Sequence, residues 1–519
     1  MSTPVSLPVR LAYVALAALA GALAYTAFPA LNLWPAAPVA IALLMVALNR
    51  LGPAMGYLAA TVFGLALFTP LLWWAAVAAG KVPWVILTIA TSAMVGLVGL
   101  AWPLIRRLPP IAASPALSAL AFAVLWAAVE ELRAIAPLGG FPWGRLAFSQ
   151  TSSPMADLAF LGGSPAVSLA AALAGALLPA VFTHLRGGRT WAACGVAALA
   201  AGLALGPGLI PLDQRAEAGS LRIAAVQGGG EGDVFPEGVT RGRAVLNLHS
   251  DVTAELLTQI GSNAIDLLIW PEDAVAFDLN HRPDVAKELG QIATAAGAPL
   301  LLGANEFPDG GGRYNVSLLI EPGGNIAGRY AKRHPVPFGE YIPWRSVARR
   351  VTDAVDRVRI DTLPGDEVGV VDVPVARTGT NVRVGEVICF EVVHDSLMRD
   401  TVQAGAELVV AQTNNASFGT STESVQQLAM SRLRAIELGR TVVHISTTGV
   451  SAVISPAGIV LDEADAFTRA TMVQTVPLRT TLTPAARYGG AIGWGIAALG
   501  AGLILTGLAA AIYRSRRKA

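Results

Sequence analysis

The sequence predicts a multi-span α-helical membrane domain joined to an α/β sandwich. Three observations carry that prediction. Of the 519 residues, 54% are hydrophobic and 14% charged, and the mean hydropathy is +0.55, too apolar for a soluble chain of this length. Charge is also partitioned, with 15 Asp, Glu, Lys and Arg residues in 1–219 against 53 in 220–486. From residue 220 the long apolar runs give way to short β-branched runs that alternate with helical spacing. The expected domains are an N-terminal membrane domain of about seven transmembrane helices (1–219), a domain of ordinary soluble composition outside the membrane (220–486), and a final span with a basic tail (487–519).

A bilayer core takes roughly 20 apolar residues per helix. The expected spans are about 10–29, 31–49, 55–78, 84–105, 113–130, 164–184, 190–210 and 489–513, about eight transmembrane helices in all. Pro35, Pro38 and Pro70 are expected to kink their helices. The first span reads as uncleaved, because its apolar run is longer than that of a signal peptide and only Arg10 precedes it. With a cytoplasmic N-terminus, the inside loops hold Arg50, Arg106, Arg107, Arg186 and Arg189, and the tail adds Arg514, Arg516, Arg517 and Lys518. The outer side then holds Lys81 and the segment 131–163, with Glu130 and Glu131 expected in that loop beside Arg133 and Arg145.

In the outer domain the expected strands are 221–227, 264–272, 299–306, 313–321, 383–391, 407–413, 441–447 and 449–455. Apolar spacing of 3.6 residues predicts helices over 242–260, 282–296, 395–404 and 422–438. Near-continuous apolar strands are covered on both faces, and their alternation with helices argues for the sandwich. Net charge of +1 leaves no footprint for nucleic acid, and six scattered histidines with two cysteines offer no metal-ligand spacing. The glycines of VQGGGEG (226–232) lack the Lys-Ser/Thr of a phosphate loop and read as a flexible connection.

One thiol stands out. Cys389 closes the apolar strand RVGEVICFE just before the helical stretch HDSLMRD, where backbone N–H groups favour a thiolate or an oxyanion. A free cysteine is more commonly a small buried hydrophobe. Outside the membrane, however, cysteines usually pair, and Cys194 lies inside an expected span, out of reach. A nucleophilic thiol needs a base and an oxyanion stabiliser. Glu272 ends the strand of LLIWPEDA, where burial would raise its pKa, and Lys332 ends another before a proline-rich loop carrying Glu340. Each alone reads as a solvated charge at a strand end; His334, His394 and His444 offer an alternative Cys–His pairing.

Together these stretches resemble the nitrilase superfamily, whose Glu–Lys–Cys triad sits on an αββα sandwich. The resemblance assigns Glu272 as general base, Lys332 as oxyanion stabiliser and Cys389 as nucleophile. GFPWGRLAFSQ (140–150), RYAKRHPVPFGEYIP (329–343), TNNASFG (413–419) and QQLAMSRLRAIELGRTVVHISTTGVSAVISPAGIV (426–460), with the span layout, resemble its membrane-embedded branch, the apolipoprotein N-acyltransferase family. That resemblance makes Glu340 and Glu391 supporting groups that orient Lys332 and the thiol. Two departures stand out: Phe390 replaces a frequent tyrosine after the cysteine, and the loop Asn414-Asn415-Ala416-Ser417-Phe418-Gly419 lacks a frequent tryptophan. The implied reaction takes an acyl chain from a phospholipid donor through a cysteine thioester to the amine of a diacylglyceryl apolipoprotein acceptor, with no cofactor. The implied location is a bacterial plasma membrane, with both termini cytoplasmic and the catalytic domain on the outer face.

Exposing a 16-carbon chain to water would cost on the order of 12 kcal/mol, which is a reason to hold such a site at the bilayer. Trp344, Val347, Val351, Val355 and Val358 recur at helical spacing among Arg345, Arg349, Arg350 and Arg357, so 344–358 is expected to form an amphipathic helix. It reads either as an interfacial arm touching anionic headgroups or as a surface helix packed on the sandwich. Two other functions fit less of the sequence. A membrane-anchored amidohydrolase would resolve the acyl-enzyme with water, and a transporter or scaffold would carry a degenerate domain. The loops near 228–240, 308–312 and 414–422 are candidate gates.

Overall fold

Small residues set how closely the apolar helices approach. The computed structural model describes residues 6–229 and 240–517, so Lys518 and residues 230–239 of the glycine-rich connection lie outside the described residues. The chain divides into a helical unit and a second unit of sheets and helices, Leu212–Arg487.

In the first unit the helices are α1 (Leu7–Tyr25), α2 (Ala36–Leu48), α3 (Pro53–Leu71), α4 (Trp73–Ala79), α5 (Lys81–Ile105), α6 (Pro109–Ala113), α7 (Pro115–Ile135), α8 (Ala159–Arg186) and α9 (Thr190–Leu205). With the helix Pro484–Arg516, seven helices among the described residues are long and apolar enough to cross a membrane. The second expected span is shorter than its apolar run: α2 has 13 residues, about 20 Å at 1.5 Å per residue, because Pro35 stands at its N-cap. The third expected span breaks at Leu72, two residues after Pro70, which supplies no N–H to the last turn of α3. Between α3 and α5, Gly56 and Gly99 face each other so closely that a methyl group on either would overlap the other's carbonyl.

Glu130 and Glu131 are not in a loop, as the sequence had suggested. They lie in the last turns of α7 because the following segment folds back and satisfies them. Glu130 accepts hydrogen bonds from Trp126 Nε1 (3.1 Å) and Leu146 N (2.8 Å), and Glu131 pairs with Arg145. The buried Arg133 guanidinium donates to the Phe141 (2.7 Å) and Trp143 carbonyls. The GFPWG stretch is thus bound to α7 by charge-assisted hydrogen bonds, whose worth rises where water is excluded.

The second unit holds two six-stranded sheets. The strands are β1 (Ser220–Gln227), β2 (Leu267–Ile269), β3 (Leu300–Glu306), β4 (Tyr314–Ile320), β5 (Ile326–Ala331), β6 (Val370–Val375), β7 (Thr380–Ile388), β8 (Leu408–Thr413), β9 (Val442–Ser446), β10 (Ser451–Ile454), β11 (Val460–Ala464) and β12 (Ala470–Pro477). One sheet runs β12-β1-β2-β3-β4-β5 and the other β11-β10-β9-β8-β7-β6. β1, β2 and β3 are parallel, as are β7, β8 and β9, so each sheet has a parallel centre and antiparallel edges. Leu221, Ile223, Leu267, Ile269, Val384, Val410, Val443 and Ile445 fill the space between the sheets.

Helices α10 (Arg241–Ile260) and α11 (Pro283–Ala296) cover the outer face of the first sheet through Leu246, Val252, Leu256, Val285 and Leu289. Helices α13 (Asp395–Gln403) and α14 (Glu423–Leu438) pack on the second sheet. The layers are therefore αββα. The four helices fall within one residue of the spans read from apolar periodicity.

The expected helix over 344–358 does not form as one element. Only α12 (Arg345–Ala348) and a 3-10 turn, Asp353–Arg357, are helical; the terminal helix Pro484–Arg516 completes the series as α15. Thr352 is extended and its hydroxyl accepts from Ala354 N (3.2 Å), which restarts the chain in a new direction. Arg345 then reaches across to the carbonyls of Val355 (3.2 Å) and Val358 (2.9 Å) and pairs with Asp361. Val355 is buried by this fold-back, whereas Trp344, Val347 and Val351 stay exposed.

Candidate active site

Strand ends bring the chemistry together. Glu272 follows β2 through Trp270 and Pro271, Lys332 follows β5, and Cys389 follows β7. The Trp270 ring is buried and its Nε1 donates to Thr253 Oγ1 (3.0 Å), which fixes the Trp-Pro-Glu segment against α10. That segment also crosses β3 at Gly303, whose N–H donates to the Pro271 carbonyl (3.1 Å). A Cβ at 303 would lie 2.6 Å from Glu272 Cα and 2.7 Å from the Pro271 oxygen. Gly303→Ala is therefore expected to push the Glu272 turn aside, costing ~1–3 kcal/mol of stability and on the order of 10²-fold in kcat. Thermal unfolding and turnover measured on the same preparation check this.

The acid–base groups are buried and mutually held. Glu272 Oε1 accepts from Asn315 Nδ2 (2.7 Å) and lies 3.7 Å from Lys332 Nζ, while its carbonyl accepts from Thr447 Oγ1 (2.8 Å) of the other sheet. Burial raises the Glu272 carboxyl to about 7, with the Lys332 charge pulling the other way. Lys332 is 1% exposed and donates to Glu340 Oε1 (2.9 Å). Burial opposes its charge, but Glu340 and Glu272 outweigh that and hold the ammonium well above its ordinary pKa. For Glu340, burial is outweighed by Lys332 and by the Val336 N–H (2.8 Å), so its carboxyl stays below the usual range. Lys332 is thus a fixed cation between two carboxylates, one of which titrates near neutrality.

Cys389 occupies a strained turn. Its φ is +55°, in the left-handed region that non-glycine residues rarely adopt, and it opens the 3-10 turn Cys389–Val393. Arg434 holds that turn from behind, donating to the carbonyls of Val392 (2.8 Å) and Val393 (2.8 Å). The residue as a whole is half-buried. Burial raises the thiol well above its ordinary value, Glu272 adds to the rise and Lys332 opposes it. A thiol held protonated in this way becomes a nucleophile only when a base takes its proton.

The supporting residues divide. Glu391 is fully buried and its carboxylate accepts from Tyr330 Oη (2.9 Å), Arg333 N (2.8 Å), His334 N (3.0 Å) and Ile388 N (2.8 Å). It clasps the turn carrying Lys332 to the turn carrying Cys389. Phe390 is buried and packs edge-on to His394. Asn414 donates to Asp273 Oδ2 (3.1 Å), beside Glu272. The His334 and His394 rings lie tilted at 48° with 4.2 Å between centroids, and His444, on β9, bonds Ser431 of α14 (2.9 Å).

Four residues near the site carry no role in the sequence reading, where Asn415 figures only as part of its loop. Asn315 orients Glu272, and Gln427 Nε2 points at Cys389 Sγ at 3.8 Å. Asn415 and Glu423 lie behind Gln427, and burial raises the Glu423 carboxyl to about 8. The available signal was the i, i+4 spacing of Glu423 and Gln427 on α14, which puts them on one helix face.

Known proteins share this plan. Residues 20–177 match the apolipoprotein N-acyltransferase N-terminal domain and residues 222–483 match the carbon-nitrogen hydrolase family. The chain is 32% identical to apolipoprotein N-acyltransferase of Mycolicibacterium smegmatis, covering 91% of this chain and 81% of that one. It is also 32% identical to the same-named protein of Azotobacter vinelandii (97% and 96% covered) and 28% identical to that of Geobacter metallireducens (92% and 92%). With matching domains over both units and such relatives along nearly its whole length, the chain belongs to the apolipoprotein N-acyltransferase family, with a carbon-nitrogen hydrolase domain behind its membrane helices.

Proposed function

We propose that this protein moves an acyl chain from a phospholipid to the α-amine of the diacylglyceryl-cysteine of an apolipoprotein, by way of a thioester on Cys389. The observation that carries this reading is the meeting of Glu272, Lys332 and Cys389 at three strand ends in a chain of this family. Glu272 takes the thiol proton as the sulfur attacks the ester carbonyl. Lys332 and the backbone N–H groups near Phe390 stabilise the tetrahedral oxyanion. The intermediate collapses, Glu272 returns the proton to the departing lysophospholipid oxygen, and a thioester remains. The acceptor amine then attacks the thioester, gives its proton to Glu272, and expels the sulfur, which regains that proton. The thioester lies above the oxygen ester and the amide below it, so the overall transfer runs downhill without a cofactor.

The setting fits two lipid substrates. In this reading the protein sits in a bacterial plasma membrane with both termini cytoplasmic, as the Arg106–Arg107, Arg186–Arg189 and Arg514–Arg517 clusters support, and with the second unit on the outer face. The domain limits are 1–219, 220–486 and 487–519. Exposed Trp344, Val347 and Val351 beside Arg349 and Arg350 supply an apolar surface with basic neighbours, suited to anionic headgroups.

The test is the intact mass of the detergent-purified protein after incubation with a defined phospholipid. One acyl chain should be gained, removed by neutral hydroxylamine, and absent from Cys389→Ala. Passage of that chain to a lipopeptide amine should outrun release of free fatty acid; the reverse order would favour an amidohydrolase. Because Glu272 must be ionised to act, acylation should rise with pH and level off above about 7. A rate that falls over that range would remove Glu272 as the base.

A further inference from the structure

The side of the sulfur turned toward α14 is faced by an amide. We propose that Gln427 is the hydrogen-bond donor that stabilises the Cys389 sulfur as a thiolate, with Asn415 and Glu423 as the positioning residues that fix its orientation. This rests on the reading of Cys389 as nucleophile.

An amide end can be donor or acceptor, and here its neighbours decide which. The Asn415 side chain has all four of its hydrogen-bonding positions filled. Its Nδ2 donates to Glu423 Oε2 (2.6 Å) and Gln427 Oε1 (2.9 Å), and its Oδ1 accepts from Thr413 Oγ1 (3.1 Å) and Ser446 Oγ (2.6 Å). Ser446 Oγ in turn accepts from Gly449 N (2.8 Å), which leaves its proton for Asn415. The Glu423 carboxyl oxygen on one side and the Ser446 hydroxyl, already accepting from Gly449 N, on the other favour this orientation of Asn415. Gln427 Oε1 is then occupied as an acceptor, and Nε2 is left to point at Cys389 Sγ, 3.8 Å away.

The arrangement is built for close fit. Asn415, Glu423 and Gln427 are each at most 2% exposed. A Cβ on Gly449 would overlap the Asn415 amide and come within 2.5 Å of Ser424 Oγ, so only glycine lets β9 and β10 turn over this network. Glu423 and Gln427 stand one turn apart on α14, which aims both at the turn after β8.

The chemistry uses the donor twice. As Glu272 removes the thiol proton, negative charge grows on sulfur, and an N–H aimed at it favours the charged form. When the amine displaces the thioester, the sulfur leaves carrying the same charge. Lys332 sits with the two carboxylates Glu272 and Glu340, so Gln427 supplies a neutral donor from the opposite element. Glu423, whose carboxyl burial raises to about 8, accepts from Asn415 Nδ2, and where it ionises its charge raises the Cys389 thiol, an effect that the Gln427 donor opposes.

The experiment reads the sulfur directly. Full-length protein in a Cys194→Ser background is alkylated with iodoacetamide across pH 6–11, and the Cys389 adduct is followed by mass. Glu272, Lys332, Glu340 and Glu423, the charged groups that act on the thiol, are left unchanged in the variant that decides. Gln427→Met, which keeps the bulk and removes the donor, should move the midpoint up by about one pH unit. Alkylation below the midpoint then slows about tenfold, and kcat for acyl transfer should fall about tenfold at unchanged KM.

Glu423→Gln, which keeps an acceptor facing Asn415 and removes a charge that raises the thiol, should lower the midpoint or leave it in place; a rise would count against Glu423 acting as that acceptor. A lowered melting temperature with an unmoved midpoint in Gln427→Met would mean Gln427 only packs, and would overturn the proposal. Absence of an acyl adduct on wild-type Cys389 would instead defeat the proposed function, because the alkylation midpoint needs no acyl donor to be read.

Discussion

Lys332→Met is expected to lower acyl-enzyme formation by about 10²–10³-fold, the usual worth of a group that meets the developing oxyanion. The variant should do more than lose a catalytic charge. Lys332 sits 2.9 Å from Glu340 and 3.7 Å from Glu272, both inside the protein. Without the ammonium two carboxylates face each other unneutralised, and breaking a buried pair costs about 3–5 kcal/mol. Lys332 also pulls the Glu272 carboxyl down against burial, so its loss should move the residual pH–rate midpoint above about 7.

The sign for stability follows from the same shift. An unfolded glutamate titrates near 4.5 and folded Glu272 near 7, so the folded protein binds more protons between those values. Glu272 therefore contributes less stability as pH rises across that window, and the window widens upward in Lys332→Met. Chemical denaturation at pH 5 and pH 8 measures it: the deficit of the variant should be larger at pH 8. An equal deficit at both would show that Glu272 and Lys332 are not coupled.

Glu391→Ala should be the most damaging change outside the three central groups. It would leave Tyr330 Oη and the N–H groups of Arg333, His334 and Ile388 without their shared acceptor in a closed interior. Each buried unmet donor costs about 1–3 kcal/mol, and relaxation makes the sum less than additive, so a loss above ~3 kcal/mol is expected. Acyl-enzyme formation should fall further than stability alone explains, because the clasp sets Lys332 against Cys389. Glu391→Gln keeps one acceptor oxygen and should lie between. A variant that melts early yet acylates normally at low temperature would reduce Glu391 to a purely structural brace.

Much of this was legible before any coordinates. The helices α10, α11, α13 and α14 have a strong apolar stripe, and β1, β3, β4, β8 and β9 are buried runs bounded by polar turns. Cys389 could be found because it ends such a run with no partner thiol within reach. Other elements hid for physical reasons. In β5 and β11 most residues remain in contact with solvent and two positions in each are polar, so no apolar run announces them. β6 carries Pro374, which suits an edge strand but reads as a break.

The 344–358 segment misled in the opposite direction. Its valines keep a 3.6-residue period, yet Thr352 and Asp353 form a new cap that the period does not register. Glu130 and Glu131 were hard to place because charge at a membrane edge argues for a loop, and only the folded-back GFPWG stretch supplies their partners. Asn415, Glu423 and Gln427 are polar residues of a loop and a helix, and nothing in their spacing marks them as buried. The rule that polar faces outward fails where a site needs buried donors.

The backbone at Cys389 also bears on how this protein would respond to selection. At a φ of +55° every side chain is disfavoured relative to glycine, by about 1 kcal/mol or more. Thermal tolerance and turnover therefore pull this one codon in opposite directions. A library screened only for heat resistance would drift toward glycine at 389 and yield sturdier, silent proteins. A library screened for growth that depends on acyl transfer would hold cysteine there and collect its compensating substitutions elsewhere in the sandwich.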